Sequence, residues 1–83
     1  MSTRVRDGAN LRHERILAML GFVELGGGHS ADTLDIQSYM LERYGLKFQT
    51  TADYLKECHL AGFIRATQDG WIVTDRWRKF RSV

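Results

Sequence analysis

The chain of 83 residues has no proline and a single cysteine, Cys58. Without proline, its turns depend on glycine, Asn, Asp and capping side chains. A lone cysteine excludes an internal disulfide, so a reducing cytoplasm is the expected compartment, at the nucleoid or, for a viral chain, in the host. No apolar run approaches the roughly 20 residues that a membrane helix requires. The start, Met1-Ser2-Thr3-Arg4-Val5-Arg6, has no apolar segment behind it to serve as a secretory signal. Internal repeats and low-complexity tracts are also missing.

What is present suits one small folded domain. Hydrophobic residues make up 43% and charged residues 27%, a balance that argues against disorder. The net charge is only +2, but it is unevenly spread. Arg4, Arg6, Arg12 and Arg15 stand near the start, and Arg76, Arg78, Lys79 and Arg81 at the end. Between residues 16 and 75 there are four basic and eight acidic side chains. A basic footprint for nucleic acid therefore requires the two ends to converge. The plainer reading is that basic ends keep a small domain soluble.

Residues 1–8 read as a flexible basic arm ahead of a single domain over 9–83. A first helix is predicted from Ala9 or Asn10 to Leu25. His13, Ile16, Leu17, Leu20 and Val23 share one face at helical spacing and form its core stripe. Leu11, Ala18, Phe22 and Leu25 form a second stripe on the opposite side. Two readings fit that stripe: a terminal helix wraps over it within the monomer, or it is the contact of a homodimer. Gly26-Gly27-Gly28 ends the helix; with no P-loop lysine and no preceding strand, it reads as a cap and turn rather than a phosphate cradle.

Ser30 or Asp32 caps a second helix running to about Tyr44, with Leu34, Ile36, Met40, Leu41 and Tyr44 as its apolar arc and Gly45 as its stop. Leu46-Lys47-Phe48-Gln49 forms a short turn, and Thr50 or Thr51 caps a third helix, with Phe48 as a hydrophobic staple. Leu55, Cys58, His59 and Gly62 fall on one inward face of that helix, which Gly62 ends. Two β-rich runs follow, 63–67 and 71–74, joined by Gln68-Asp69-Gly70. Ile64, Ala66, Ile72 and Thr74 are expected on one side of the hairpin, and Arg65, Thr67, Trp71 and Val73 on the other. Thr74 caps a last helix whose Trp77 and Phe80 pack onto helix one. Trp71 and Trp77 read as core and hairpin supports.

The segment Leu55-Lys56-Glu57-Cys58-His59-Leu60-Ala61-Gly62-Phe63-Ile64, followed by Trp71-Ile72-Val73-Thr74-Asp75, resembles the third helix and wing of winged helix-turn-helix DNA-binding domains. The likeness covers residues 9–80 as architecture and 50–75 as motif. It implies an α+β, mostly α fold: three helices, a two-stranded β-hairpin wing and a short C-terminal helix. It also implies that the third helix enters the major groove and the wing meets phosphate. Carried over by position, Thr50, Thr51, Asp53, Tyr54 and Glu57 face the groove with Lys56 at the flank, and Lys47 and Arg65 add phosphate contacts. Asp53 and Glu57 outweigh Lys56, so the helix itself is not basic. The competing class is a winged helix used for protein contacts within a nucleic-acid-handling assembly.

Catalysis has no support in the residues, since no nucleophile elbow or other catalytic signature is present. The carboxylates Asp32 and Asp35 are explained by a helix start. Cys58, His59, His13 and His29 lack metal-ligand spacing. The sequence thus predicts a small transcriptional regulator of prokaryotic, archaeal or viral type that binds double-stranded DNA. It would use no metal or cofactor and act sterically, as a homodimer through Leu11, Ala18, Phe22 and Leu25.

Overall fold

A computed structural model describes residues 3–82, and their side chains from Leu11 onward. Its order is α1 (Thr3–Glu24), α2 (Thr33–Tyr44), α3 (Phe48–Leu60), β1 (Ile64–Thr67), β2 (Gly70–Val73) and α4 (Asp75–Arg81). Three helices, an antiparallel hairpin and a terminal helix make a small α+β fold whose layout is compatible with a winged helix.

The core lies where the three long helices meet over the hairpin. Met19, Leu20 and Val23 of α1, Ile36 and Met40 of α2, and Tyr54, Leu55 and Cys58 of α3 are buried together with Leu46, Ile64, Val73 and Trp77. On α1 the buried residues recur at one-, three- and four-residue steps, the stripe a helix must bury. That stripe is rotated from the expected one. Met19 is wholly buried, whereas Leu17 and His13 are exposed. Likewise on α2, Leu34 and Leu41 of the expected arc face solvent. Helix α1 begins at Thr3, so the arm expected over residues 1–8 is helical from there on, and Met1 and Ser2 lie outside the described residues.

Two helix ends are built alike. Gly45 (φ 69°) and Gly62 (φ 82°) adopt the left-handed conformation that glycine enters without steric cost. At the second end, the N–H of Gly62 donates to His59 O and that of Phe63 to Cys58 O, both at 3.0 Å, the 5→2 and 6→1 bonds of a Schellman stop. At the first, the N–H of Gly45 donates to Leu41 O at 2.8 Å, the single 5→1 bond of a simpler left-handed stop. Asp32 caps α2 by accepting from Leu34 N at 2.7 Å, as expected of one of the two candidate caps.

The hairpin pairs Ile64 with Val73, Arg65 with Ile72, Ala66 with Trp71 and Thr67 with Gly70. Val73 rather than Ile72 thus lies beside Ile64 on the core side, one residue from the expected register, and such a slip exchanges the faces of a whole strand. The cause is that Gly70 belongs to the strand instead of the turn. A backbone bridge unmarked in the sequence adds a third strand position. The N–H of Ala31 donates to Trp71 O at 2.7 Å and that of Trp71 to Ala31 O at 2.9 Å. The approach is so close that a Cβ on Gly70 would stand 2.0 Å from Ala31 O. Trp71 is fixed further by its Nε1 donating to Thr33 Oγ1 at 3.0 Å and by an edge contact with His59.

The terminal helix docks on α1. Thr74 caps it, accepting from Trp77 N at 3.4 Å while donating to Gly62 O at 2.6 Å. Trp77 is buried, with Nε1 donating to Glu24 Oε1 at 3.0 Å, and Arg81 Nε donates to the same carboxylate at 2.9 and 3.0 Å. Phe80 joins Trp77 and Phe63 in an aromatic cluster but stays half-exposed. These contacts place α4 on the side of α1 that carries Leu17, Leu20 and Glu24. The reading in which α4 wraps over Leu11, Ala18, Phe22 and Leu25 is therefore corrected. Phe22 is covered by Tyr39 of α2 instead, the rings stacked at 4.4 Å, while Leu11 and Leu25 are 45% and 84% exposed.

Candidate nucleic-acid interface

Helices α2 and α3 are joined by three residues, Gly45-Leu46-Lys47, and α3 starts at Phe48. This start is three or four residues earlier than a Thr50 or Thr51 cap requires. Lys47 occupies the cap position and makes no side-chain cap hydrogen bond. The earlier start changes what each residue does. Thr51 is wholly buried and Tyr54 nearly so, both in the inward stripe with Leu55 and Cys58. Neither side chain is available to a groove, so both are withdrawn from the expected site. Tyr54 is roofed by Arg12, whose guanidinium carbon lies 5.4 Å from the ring centroid. Thr51 Oγ1 finds no acceptor among the described residues.

The solvent face of α3 is carried by Gln49, Asp53, Lys56 and Leu60, spaced four, three and four residues apart. Gln49 Nε2 donates to Asp53 Oδ1 at 3.0 Å, which orders both side chains in the first turns. Thr50 is half-buried at the edge of this face. Glu57 lies on the flank toward α1, in an ion pair with Arg12, so its charge is met within the chain. Lys47 stands exposed at the start of α3, and Arg65 is exposed on the side of the hairpin opposite Ile64 and Val73. Of the eight expected contact residues, Lys47, Thr50, Asp53, Lys56 and Arg65 keep some exposure outside ion pairs. Gln49 was not among the eight. Its signal was present: once α3 starts at Phe48, Gln49, Asp53 and Lys56 align at i, i+4 and i+7.

The basic ends behave differently from their count. Among the described residues, Arg78 pairs with Asp75, Arg81 with Glu24 and Arg12 with Glu57. Arg76 lies over the Phe63 ring at 6.0 Å. Much of the basic charge near the chain end is thus already matched.

Comparison with protein-family models, curated proteins and solved structures finds no match. The residues must carry the functional argument alone. Cys58 sits at the base of a groove of ≈ 200 Å³ between α1, α3 and α4, and burial pushes its thiol up to about 11, so it is a poor nucleophile or metal ligand there. His13 and His59, expected inward, are exposed. Among the described residues no three His, Cys, Asp or Glu side chains are grouped to hold a metal ion, and no helix is long and apolar enough to cross a membrane.

Proposed function

We propose that this protein is a winged helix-turn-helix module that binds double-stranded DNA sequence-specifically, as a small transcriptional regulator. The observation that carries the reading is the α2–turn–α3 pair with one face of α3 left free of the rest of the chain and lined by Gln49, Asp53 and Lys56. The N-terminal turns of such a helix are the part that reaches base edges. Gln49 suits adenine, for a carboxamide can bond both the amino group and the ring nitrogen. Asp53 orients Gln49 and can accept from cytosine. Lys47 and Lys56 lie where phosphates flank the groove, and Arg65 serves the same end from the hairpin.

A homodimer is part of the proposal. Leu11 and Leu25 are exposed and, with half-buried Ala18, recur at seven-residue steps along α1 and the residue after it; pairing two copies would bury them. Phe22, already stacked on Tyr39, lies at the edge of that stripe. Two-fold pairing would set two α3 helices on half-sites about 10 base pairs apart.

A second reading is a protein-interaction module, favoured by the exposed Leu34, Leu41 and Leu60 and by the internal pairing of Arg12, Arg78 and Arg81. Fluorescence anisotropy with mixed-sequence duplex DNA across salt separates the two. DNA binding should weaken steeply, by a log–log slope of about 0.9 per phosphate contacted. Absence of binding at low salt overturns the reading. Sedimentation of the wild type and of Leu25→Glu tests the dimer, and a wild type that stays monomeric at high micromolar concentration sinks it.

A further inference from the structure

One basic cluster lies apart from the α3 face. The guanidinium carbons of Arg15 on α1 and Arg43 on α2 each lie 5.8 Å from the centroid of the Tyr44 ring. Arg43 Nε also donates to the Tyr44 hydroxyl at 3.4 Å. Neither arginine forms an ion pair among the described residues. Glu14 and Glu42 are their neighbours in sequence, but neither carboxylate is in an ion pair with them among the described residues. Arg15 Nε is buried and has no acceptor among the described residues. Immediately beyond Tyr44 and Gly45, Lys47 opens α3 with no side-chain cap on the first turn.

We infer that Arg15, Tyr44 and Arg43 form a clamp for phosphoryl oxygens. The aromatic ring attracts both guanidinium groups without neutralising either. Each guanidinium is a planar fork of donors that matches phosphate in two parallel bonds. Two guanidinium forks on one ring can share the non-bridging oxygens of one backbone phosphate or take those of successive phosphates. The clamp stands at the entry to α3, so on the reading of the protein as a DNA-binding module, on which its macromolecular ligand rests, it takes the DNA backbone. Its position makes the α1–α2 side, more than the hairpin or the C-terminal basic segment, the electrostatic anchor.

The test has two arms. In the first, duplex DNA affinity is measured across salt for the wild type, Arg15→Gln, Arg43→Gln, the double variant and Lys79→Gln. Each single variant of the clamp should lower the log–log salt slope by about 0.9, the double by roughly twice that, and Lys79→Gln should lower it less than either. In the second, melting temperature is compared in inorganic phosphate and in chloride at equal ionic strength. Phosphate should raise it for the wild type and not for the double variant. Should the glutamine pair fail to fold, Arg15→Lys with Arg43→Lys replaces it in the second arm, keeping the charges while removing the forks. If the wild type binds DNA but the double variant keeps the full slope, the clamp is overturned and the functional reading stands. If the wild type binds no DNA yet shows the phosphate shift and the double variant loses it, the functional reading fails and the clamp stands as a site for free phosphate. If neither effect appears, both are overturned.

Discussion

The C-terminal basic segment and the arginine pair on Tyr44 differ in what their charges do. Arg76, Arg78, Lys79 and Arg81 form the densest run of positive charge in the chain. Yet Arg78 is held by Asp75 and Arg81 lies bidentate on Glu24, beside the indole of Trp77. That run is a staple which fastens α4 to α1. Arg15 and Arg43 are 28 residues apart in sequence and invisible as a cluster, but the fold brings both to one tyrosine ring, with no ion pair to either among the described residues. Charge density along a sequence measures how many charges are near one another, whereas availability depends on which acids the fold delivers.

If the C-terminal segment is a structural staple, the largest effect of breaking it should be on stability. Trp77→Ala removes a buried indole together with the donor to Glu24, and should cost about 3–5 kcal/mol. In a domain of this size that approaches the whole folding free energy, commonly about 5–15 kcal/mol. Urea unfolding followed by circular dichroism measures it. A variant as stable as the wild type would mean that α4 does not dock through Trp77.

Glu24 is the hinge of the comparison, and its effect should be smaller and dependent on pH. Its carboxyl is held below the usual value of 4.5, first by the hydrogen bond from Arg81 and further by that from Trp77, against the opposing effect of burial. A carboxyl whose pKa is lower in the folded chain binds more protons when unfolded. Its stabilisation is therefore present above about pH 4.5 and lost as pH falls through the folded value. Glu24→Gln should cost about 1 kcal/mol at pH 7, the upper end for a partly exposed pair, and should flatten the acid limb of the stability curve. An unchanged acid limb would remove Glu24 from the staple.

The order of elements was legible in the sequence because it rests on local chemistry. Gly45 and Gly62 mark two helix stops, Thr74 a cap, and Asp69-Gly70 a hairpin, each by a conformation or hydrogen bond that few residues supply. What depended on contacts across the chain was harder to read. The third helix offered two threonines as caps, but burial of Thr51 among Tyr54, Leu55 and Cys58 outweighs a capping bond, so the helix starts earlier and its outward face changes. Tyr54 was assigned to the groove for its hydroxyl, although its ring fits the same inward stripe. The hairpin register slipped because Gly70 is required by the close passage of Ala31, a contact between residues far apart in sequence. Of the second stripe of α1, Leu11 and Leu25 are exposed, while Phe22 found a partner in Tyr39 that no spacing within α1 could reveal.

The smallest effect should come from Arg81 itself. Its guanidinium is about half-exposed, so removing it sacrifices less packing than removing Trp77. Arg81→Gln should lower stability by about 0.5–1 kcal/mol, and combined with Glu24→Gln it should cost little more than either change alone, the signature of two groups acting through one another. In DNA binding the contrast sharpens. A guanidinium bonded to a carboxylate carries no net charge outward and holds no condensed counterions to release, so the salt slope should stay within error of the wild type. Arg15→Gln, which exposes no carboxylate, should lower it. If Arg81→Gln reduced the slope as much as Arg15→Gln does, the ion pair with Glu24 would have to open on DNA. The C-terminal segment would then be a nucleic-acid contact after all.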